Sequence, residues 1–162
     1  MSIMTMVAPP SLSSHLNMPH CTKMALIHDM AESLVGDITP VDVSVPKAEK
    51  ARREAAVMDY ITQDLLAGVA GGKFLGADFL QVFREYEDNE SLESKFVHDI
   101  DKLELLLQMV EYEREHGICL EEFCHVEKRI QLPELQEWAA TVVAEHKQVT
   151  TDKKKTALGD KA

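Results

Sequence analysis

His28-Asp29-Met30-Ala31-Glu32-Ser33-Leu34-Val35-Gly36-Asp37-Ile38-Thr39-Pro40 sets one imidazole and three carboxylates at the end of an otherwise apolar helical stretch. Around it Met24, Ile27, Met30 or Ala31, and Leu34 recur at three- and four-residue steps, the period of a helix with one buried face. Gly36 is placed to end that helix and Pro40 keeps it from resuming, which leaves Asp37 on the loop beyond. On such a helix Glu32 lies one turn along from both His28 and Asp29, and Asp37 can fold back from the loop. Anions crowded onto an apolar helix end need a compensating cation.

The helical period continues outward in both directions. Met1 to Ala8 is apolar and reads as the tail of a buried helix, and Pro9 to Pro19 reads as a connector in which Pro19 can sit in the first turn of the next helix. Pro46 opens a second long helix with a stripe of Ala55, Met58, Ile61, Leu65 and Val69, ended by Gly68, Gly71 and Gly72. A third segment runs from about Phe74 to Tyr86. The fourth starts at Ser91 as N-cap, passes Leu92, Phe96, Ile100, Leu103, Leu107 and Val110, and stops at Gly117. A short Leu120 to Cys124 segment and a final helix from Pro133 through Leu135, Trp138, Ala139 and Val142 to about Lys147 follow. Met58, Phe79, Phe83, Phe96 and Trp138 fall at helical spacing and predict core. No alternating strand pattern occurs, so the expected class is all-α, with one domain over 1–147 and a flexible polar tail over 148–162.

Composition narrows the function classes. The 162 residues are 45% hydrophobic and carry a formal charge of −11, which supports a single packed domain and repels a polynucleotide backbone. The apolar runs fall far below the roughly 18 to 20 residues of a membrane span, and the N-terminus lacks the basic start of a signal peptide. Cys21, Cys119 and Cys124 match no zinc or disulfide spacing, which points to a reducing compartment. The expected location is cytoplasmic or nuclear, the latter because Lys153-Lys154-Lys155 resembles a weak import patch inside a solvated tail.

Taken alone, His28, Asp29 and Glu32 fit either a capping and salt-bridge network or a metal site. Asp101, between Ile100 and Leu103 of the fourth helix, is an aspartate on an apolar helix that needs a partner. A second His-Asp pair, His98-Asp99, reads as the solvated face of that helix. Lys50, Arg52 and Arg53 lie in a charge-mixed stretch and read as solvated, with phosphate contact as the alternative. His116 and His125 read as surface residues.

Several linked motifs then carry a resemblance. Ala25-Leu26-Ile27-His28-Asp29-Met30-Ala31-Glu32, Gly36-Asp37-Ile38-Thr39-Pro40, Lys50, Arg53-Glu54, Glu85-Tyr86-Glu87, Lys95-Phe96-Val97, Asp101-Lys102-Leu103-Glu104 and Glu111-Tyr112-Glu113 follow in order, and the chain resembles the HD-domain 5′-deoxynucleotidases over about residues 1–147. The resemblance implies an HD-domain helical bundle that hydrolyses the 5′-phosphate of deoxyribonucleoside 5′-monophosphates, as a homodimer. It implies that His28, Asp29 and Asp101 ligate a divalent cation, and that Glu32 and Asp37 act on the attacking water or the leaving group. Mixed imidazole and carboxylate ligands suit Mn, Co, Mg, Fe or Zn. The family's first ligand is a His on an earlier helix, at a position that counts back to before Met1, so the bundle is expected to be truncated at its N-terminus. His15 and His20 are not placed to replace it. The alternative function is a truncated scaffold, catalytically impaired or inactive, that works only through protein interaction.

Overall fold

In the computed structural model the described residues are 1–38 and 44–159, with side chains described through 148. Eight α-helices follow one another: α1 (Ser2–Met6), α2 (Pro10–Ser13), α3 (Met18–Ile27), α4 (Glu32–Val35), α5 (Lys47–Asp59), α6 (Gly72–Asp88), α7 (Leu92–His116) and α8 (Pro133–Gly159). A π-helical turn over Tyr60–Leu65 and a 3-10 turn over Leu66–Gly68 extend α5, and a longer 3-10 segment, Glu121–Arg129, joins α7 to α8. No strand occurs among the described residues, in accord with the all-α reading.

α7 is the axis of the bundle, with α3, α6 and α8 packed around it and α1 laid across α3 and α7. Ser91 caps its start by accepting the Ser94 N–H at 3.0 Å, which satisfies one of the orphan donors of the first turn. Phe96, Val97, Ile100, Leu103 and Leu106 are essentially fully buried and face different neighbours, so α7 is apolar on more than one side. Met24 and Cys21 of α3, Met58 of α5, Phe83 of α6 and Leu135 of α8 complete the core, while Phe79 and Trp138 pack against its edge.

Where the helices cross, glycine matters. A Cβ at Gly76 of α6 would lie 2.2 Å from the Thr62 carbonyl oxygen, so α6 can approach the π turn only because that position has no side chain. Gly72, expected as a helix stop, lies inside the first turn of α6 for the same reason, against the Leu66 carbonyl.

Several sequence expectations are corrected here. The helix through His28 ends at Ile27; a turn over 28–31 follows, and α4 is a separate short helix. The connector before it holds α2, whose Leu12 is buried, together with Leu16 beyond. On α5 and the π turn the buried residues are Glu54, Met58, Ile61 and Thr62, whereas Ala55, Leu65 and Val69 are exposed, the last two because the π turn rotates them off the α-helical stripe. Phe74 is exposed at 78%. α8 continues to Gly159, past the expected end near Lys147. Thr39 and Pro40, and residues 160–162 of the expected tail, lie outside the described residues.

Asp99 is the largest correction. It is fully buried, not solvated. Its Oδ2 accepts the backbone N–H groups of Gln131 and Leu132, each at 2.8 Å, and its Oδ1 accepts from Lys102 Nζ at 2.9 Å. A buried carboxylate is tolerated when its lone pairs are filled this way, and one set just ahead of α8 also meets the positive end of that helix.

Candidate functional site

The site is built where α3 stops. His28 is the C-cap of α3, its N–H bonded to the Met24 carbonyl at 2.9 Å. The turn that follows leaves Asp29 exposed and Ala31 buried, and α4 then presents Glu32. Gly36 closes α4 at φ +82°, a left-handed-side value that favours glycine, and sends Asp37 onto an exposed loop.

The His28 ring is 6% exposed. Its Nδ1–H donates to the Ala25 carbonyl at 3.1 Å, which fixes the tautomer and leaves Nε2 as the free nitrogen. Asp29 Oδ2 stands 2.8 Å from Nε2 and Asp101 Oδ1, from α7, 3.9 Å. The short contact is off the hydrogen-bonding direction, and Nε2 is a buried polar atom with no directed hydrogen bond. Burial lowers the affinity of the imidazole for a proton, but Asp101 and Asp29 outweigh burial and push its pKa up to about 9. The nitrogen thus sits in a field that demands a positive charge.

Glu32 and its neighbours form the second half. Lys50 Nζ of α5 lies 3.2 Å from Glu32 Oε1 and 3.4 Å from Glu54 Oε1. Burial raises the pKa of Glu32, Asp29 raises it further, Lys50 opposes the rise, and the Asp37 charge adds to it. Burial likewise raises Glu54 and Glu87. Lys50, joined at Glu87 by Lys47, therefore faces a wall of carboxylates whose negative charges raise one another's pKa.

These residues fit a divalent cation on the chemistry of the donors. Two ligands each about 2.1 Å from one ion stand roughly 3 to 4 Å apart; Asp101 at 3.9 Å from Nε2 falls in that range, and Asp29 at 2.8 Å falls just short of it. An imidazole with its far nitrogen tied to a carbonyl is the usual form of a metal-binding histidine. Among the described residues no three His, Cys, Asp or Glu side chains converge on one point as a metal site, so His28, Asp29 and Asp101 stand near one another without forming a closed ligand set.

The structure brings together His28, Asp29 and Asp101, with Glu32 tied to Lys50 beside them; Asp37 stays exposed and reaches Glu32 only through its charge. Arg52 and Arg53 turn outward onto Glu49, and His20 bonds to Glu85, away from His28. His15, His116 and His125 are exposed. Sequence reasoning missed Glu54 and Tyr86 as parts of the site. Glu54, four residues after Lys50, was findable as its helical partner; Tyr86, whose ring meets His28 edge-on, had no signal beyond its place in Glu85-Tyr86-Glu87.

The HD domain matches residues 1–139 of this all-α bundle, a stretch that holds the His28-Asp29 pair at the end of α3 and Asp101 on α7. The 5′-deoxynucleotidase hdd1 of Schizosaccharomyces pombe is 41% identical over 151 residues, covering 91% of this chain and 73% of its own. The 5′-deoxynucleotidase HDDC2 of Homo sapiens is 42% identical over 113 residues, covering 70% of this chain and 50% of its own. Among solved structures, HD domain-containing protein YGK1, a Saccharomyces cerevisiae protein, superposes with a TM-score of 0.71 at 27% identity, covering 91% of this chain and 73% of that one. The chain belongs to the HD-domain family, in the group of its 5′-deoxynucleotidases. It spans only half the length of its human relative.

Proposed function

We propose that this chain is a metal-dependent phosphohydrolase that removes the 5′-phosphate from deoxyribonucleoside 5′-monophosphates. The substrate class comes from the names of its relatives. The observation that carries the reading is the His28 Nε2, buried, aimed by its Nδ1 bond to Ala25 and faced by Asp29 and Asp101. In this reading those three residues hold the cation, of Mn, Co, Mg, Fe or Zn type. What a cation contributes there is positive charge to offset that of the phosphoryl oxygens and a lowered pKa for nearby water.

The remaining work belongs to the chain's own carboxylates. Glu32, whose pKa burial raises, is suited to take the proton of the attacking water, and its Lys50 contact keeps the carboxylate oriented while it does so. The proton that Glu32 takes passes on to the leaving 5′-oxygen, with Asp37, on the loop past Gly36, as the second carboxylate that works on the leaving group. Burial and the nearby negative charges raise the proton affinity of Glu32, which favours its uptake of a proton from water.

Two finer points belong to the same reading. The three cysteines are all free thiols, in keeping with a reducing compartment, cytoplasmic or nuclear, and no helix among the described residues is long and apolar enough to cross a membrane. Leu65, Val69, Phe74 and Leu75 leave apolar surface around the start of α6, in keeping with a homodimer.

The test is phosphate release from a panel of nucleotides with and without Mn or Co. Deoxyribonucleoside 5′-monophosphates are expected to release phosphate only with metal. Hydrolysis confined to triphosphates or cyclic nucleotides overturns the substrate assignment.

A further inference from the structure

We propose that Tyr86, clamped by His98, is a positioning residue that sets the plane of the His28 imidazole. The inference rests on the reading of His28 as a cation-holding residue and adds to it the device that aims the ring.

An imidazole on a helix end can turn about its Cβ–Cγ bond, and a nitrogen that turns away loses its ligand direction. The Nδ1 bond to Ala25 is one restraint. The second is the Tyr86 ring of α6, whose centroid lies 4.9 Å from that of His28 at an interplanar angle of 62°. This edge-to-face arrangement is a favoured one for aromatic rings, and with both rings buried it leaves the imidazole little room to rotate.

Tyr86 is itself held twice by one residue of α7. The His98 ring stacks on the Tyr86 ring, centroids 3.9 Å apart and planes within 15°. The same side chain reaches the Tyr86 backbone, donating from Nε2–H to its carbonyl at 2.9 Å. Ring and backbone are therefore fixed together, and α7 supplies both the clamp at His98 and, three residues on, Asp101. Burial lowers the pKa of His98, which favours the neutral, stacked form. The pair that sequence alone reads as a solvated His-Asp dipeptide thus has two structural tasks: Asp99 seats α8, and His98 seats Tyr86.

The experiment is Mn(II) titration calorimetry of the full chain, with helicity checked by circular dichroism, for wild type, His28→Ala, Tyr86→Phe, Tyr86→Leu and His98→Ala. Phenylalanine keeps the ring, so Tyr86→Phe is expected to bind Mn within about twofold of wild type. Tyr86→Leu and His98→Ala are expected to bind about tenfold more weakly, the size of loss seen when a ligand's supporting contact is removed. Folded Tyr86→Leu or His98→Ala protein that binds as wild type overturns the inference, as does Tyr86→Phe falling as far as Tyr86→Leu. If Tyr86→Leu does not fold, His98→Ala decides, since His98 is half-buried and its loss opens a gap that water can enter. Mn binding unchanged in His28→Ala, or absent from wild type, instead brings down the metal reading underneath, and the positioning inference with it.

Discussion

Asp99 and Asp101 stand two residues apart on α7, and their charges are answered in different places. Asp99 is closed in by Lys102 and two backbone donors, whereas Asp101 is 46% exposed and faces His28. Removing a buried, fully bonded carboxylate leaves its partners orphaned at a cost of about 3 kcal/mol or more. Asp99→Ala is therefore expected to lose about that much stability in urea denaturation, while the fraction that stays folded still binds Mn. Asp101→Ala should behave in the opposite way, keeping its stability within about 1 kcal/mol, as exposed positions do, and losing Mn binding. The role of Asp99 was not legible in the sequence because two of its partners, Gln131 and Leu132, lie more than thirty positions away. Asp101 was singled out as an aspartate in need of a partner, and it stands 3.9 Å from the imidazole that caps α3.

At the scale of elements, helix contacts set which residues reach the site. Gly76 lets α6 lie against the π turn, and a methyl there must push into the Thr62 carbonyl. Gly76→Ala is expected to cost about 1 to 3 kcal/mol by overpacking, read as a lower melting temperature, although alanine is the better helix former. α3, α6 and α7 are also stitched by Glu85, which accepts from the Ser91 hydroxyl at 2.7 Å and pairs with His20 at 2.8 Å. Burial pushes the Glu85 carboxyl up, but Ser91 and His20 outweigh it and hold its pKa below the ordinary value. A depressed carboxyl pKa gives stability that is present above the ordinary value and lost as pH falls through the folded one. Glu85→Gln should thus be less stable than wild type by about 1 kcal/mol at pH 7, with the gap closing below about pH 4. A gap of equal size at both pH values contradicts the assignment. The long helices were legible because their caps, Ser91 and Gly117, are local signals. The break after Ile27 was not, because Met30 and Leu34 keep the helical period across a turn; nor was the π turn, which tertiary packing produces.

The whole molecule is an acidic chain, with a formal charge of −11, that by this account works on an anionic substrate. That is workable only if positive charge is supplied where the phosphate sits, and Lys50, already engaged by Glu32 and Glu54, is insufficient against Asp29, Asp101 and Asp37. The central claim is that a cation held at His28 makes up the difference. The most direct measurement is phosphate release from deoxyadenosine monophosphate across a Mn titration, with wild type and Asp101→Ala side by side at matched helicity. The account predicts release that rises with bound Mn in wild type and stays at background in Asp101→Ala; equal release from the two, or release from wild type that ignores Mn, would contradict it.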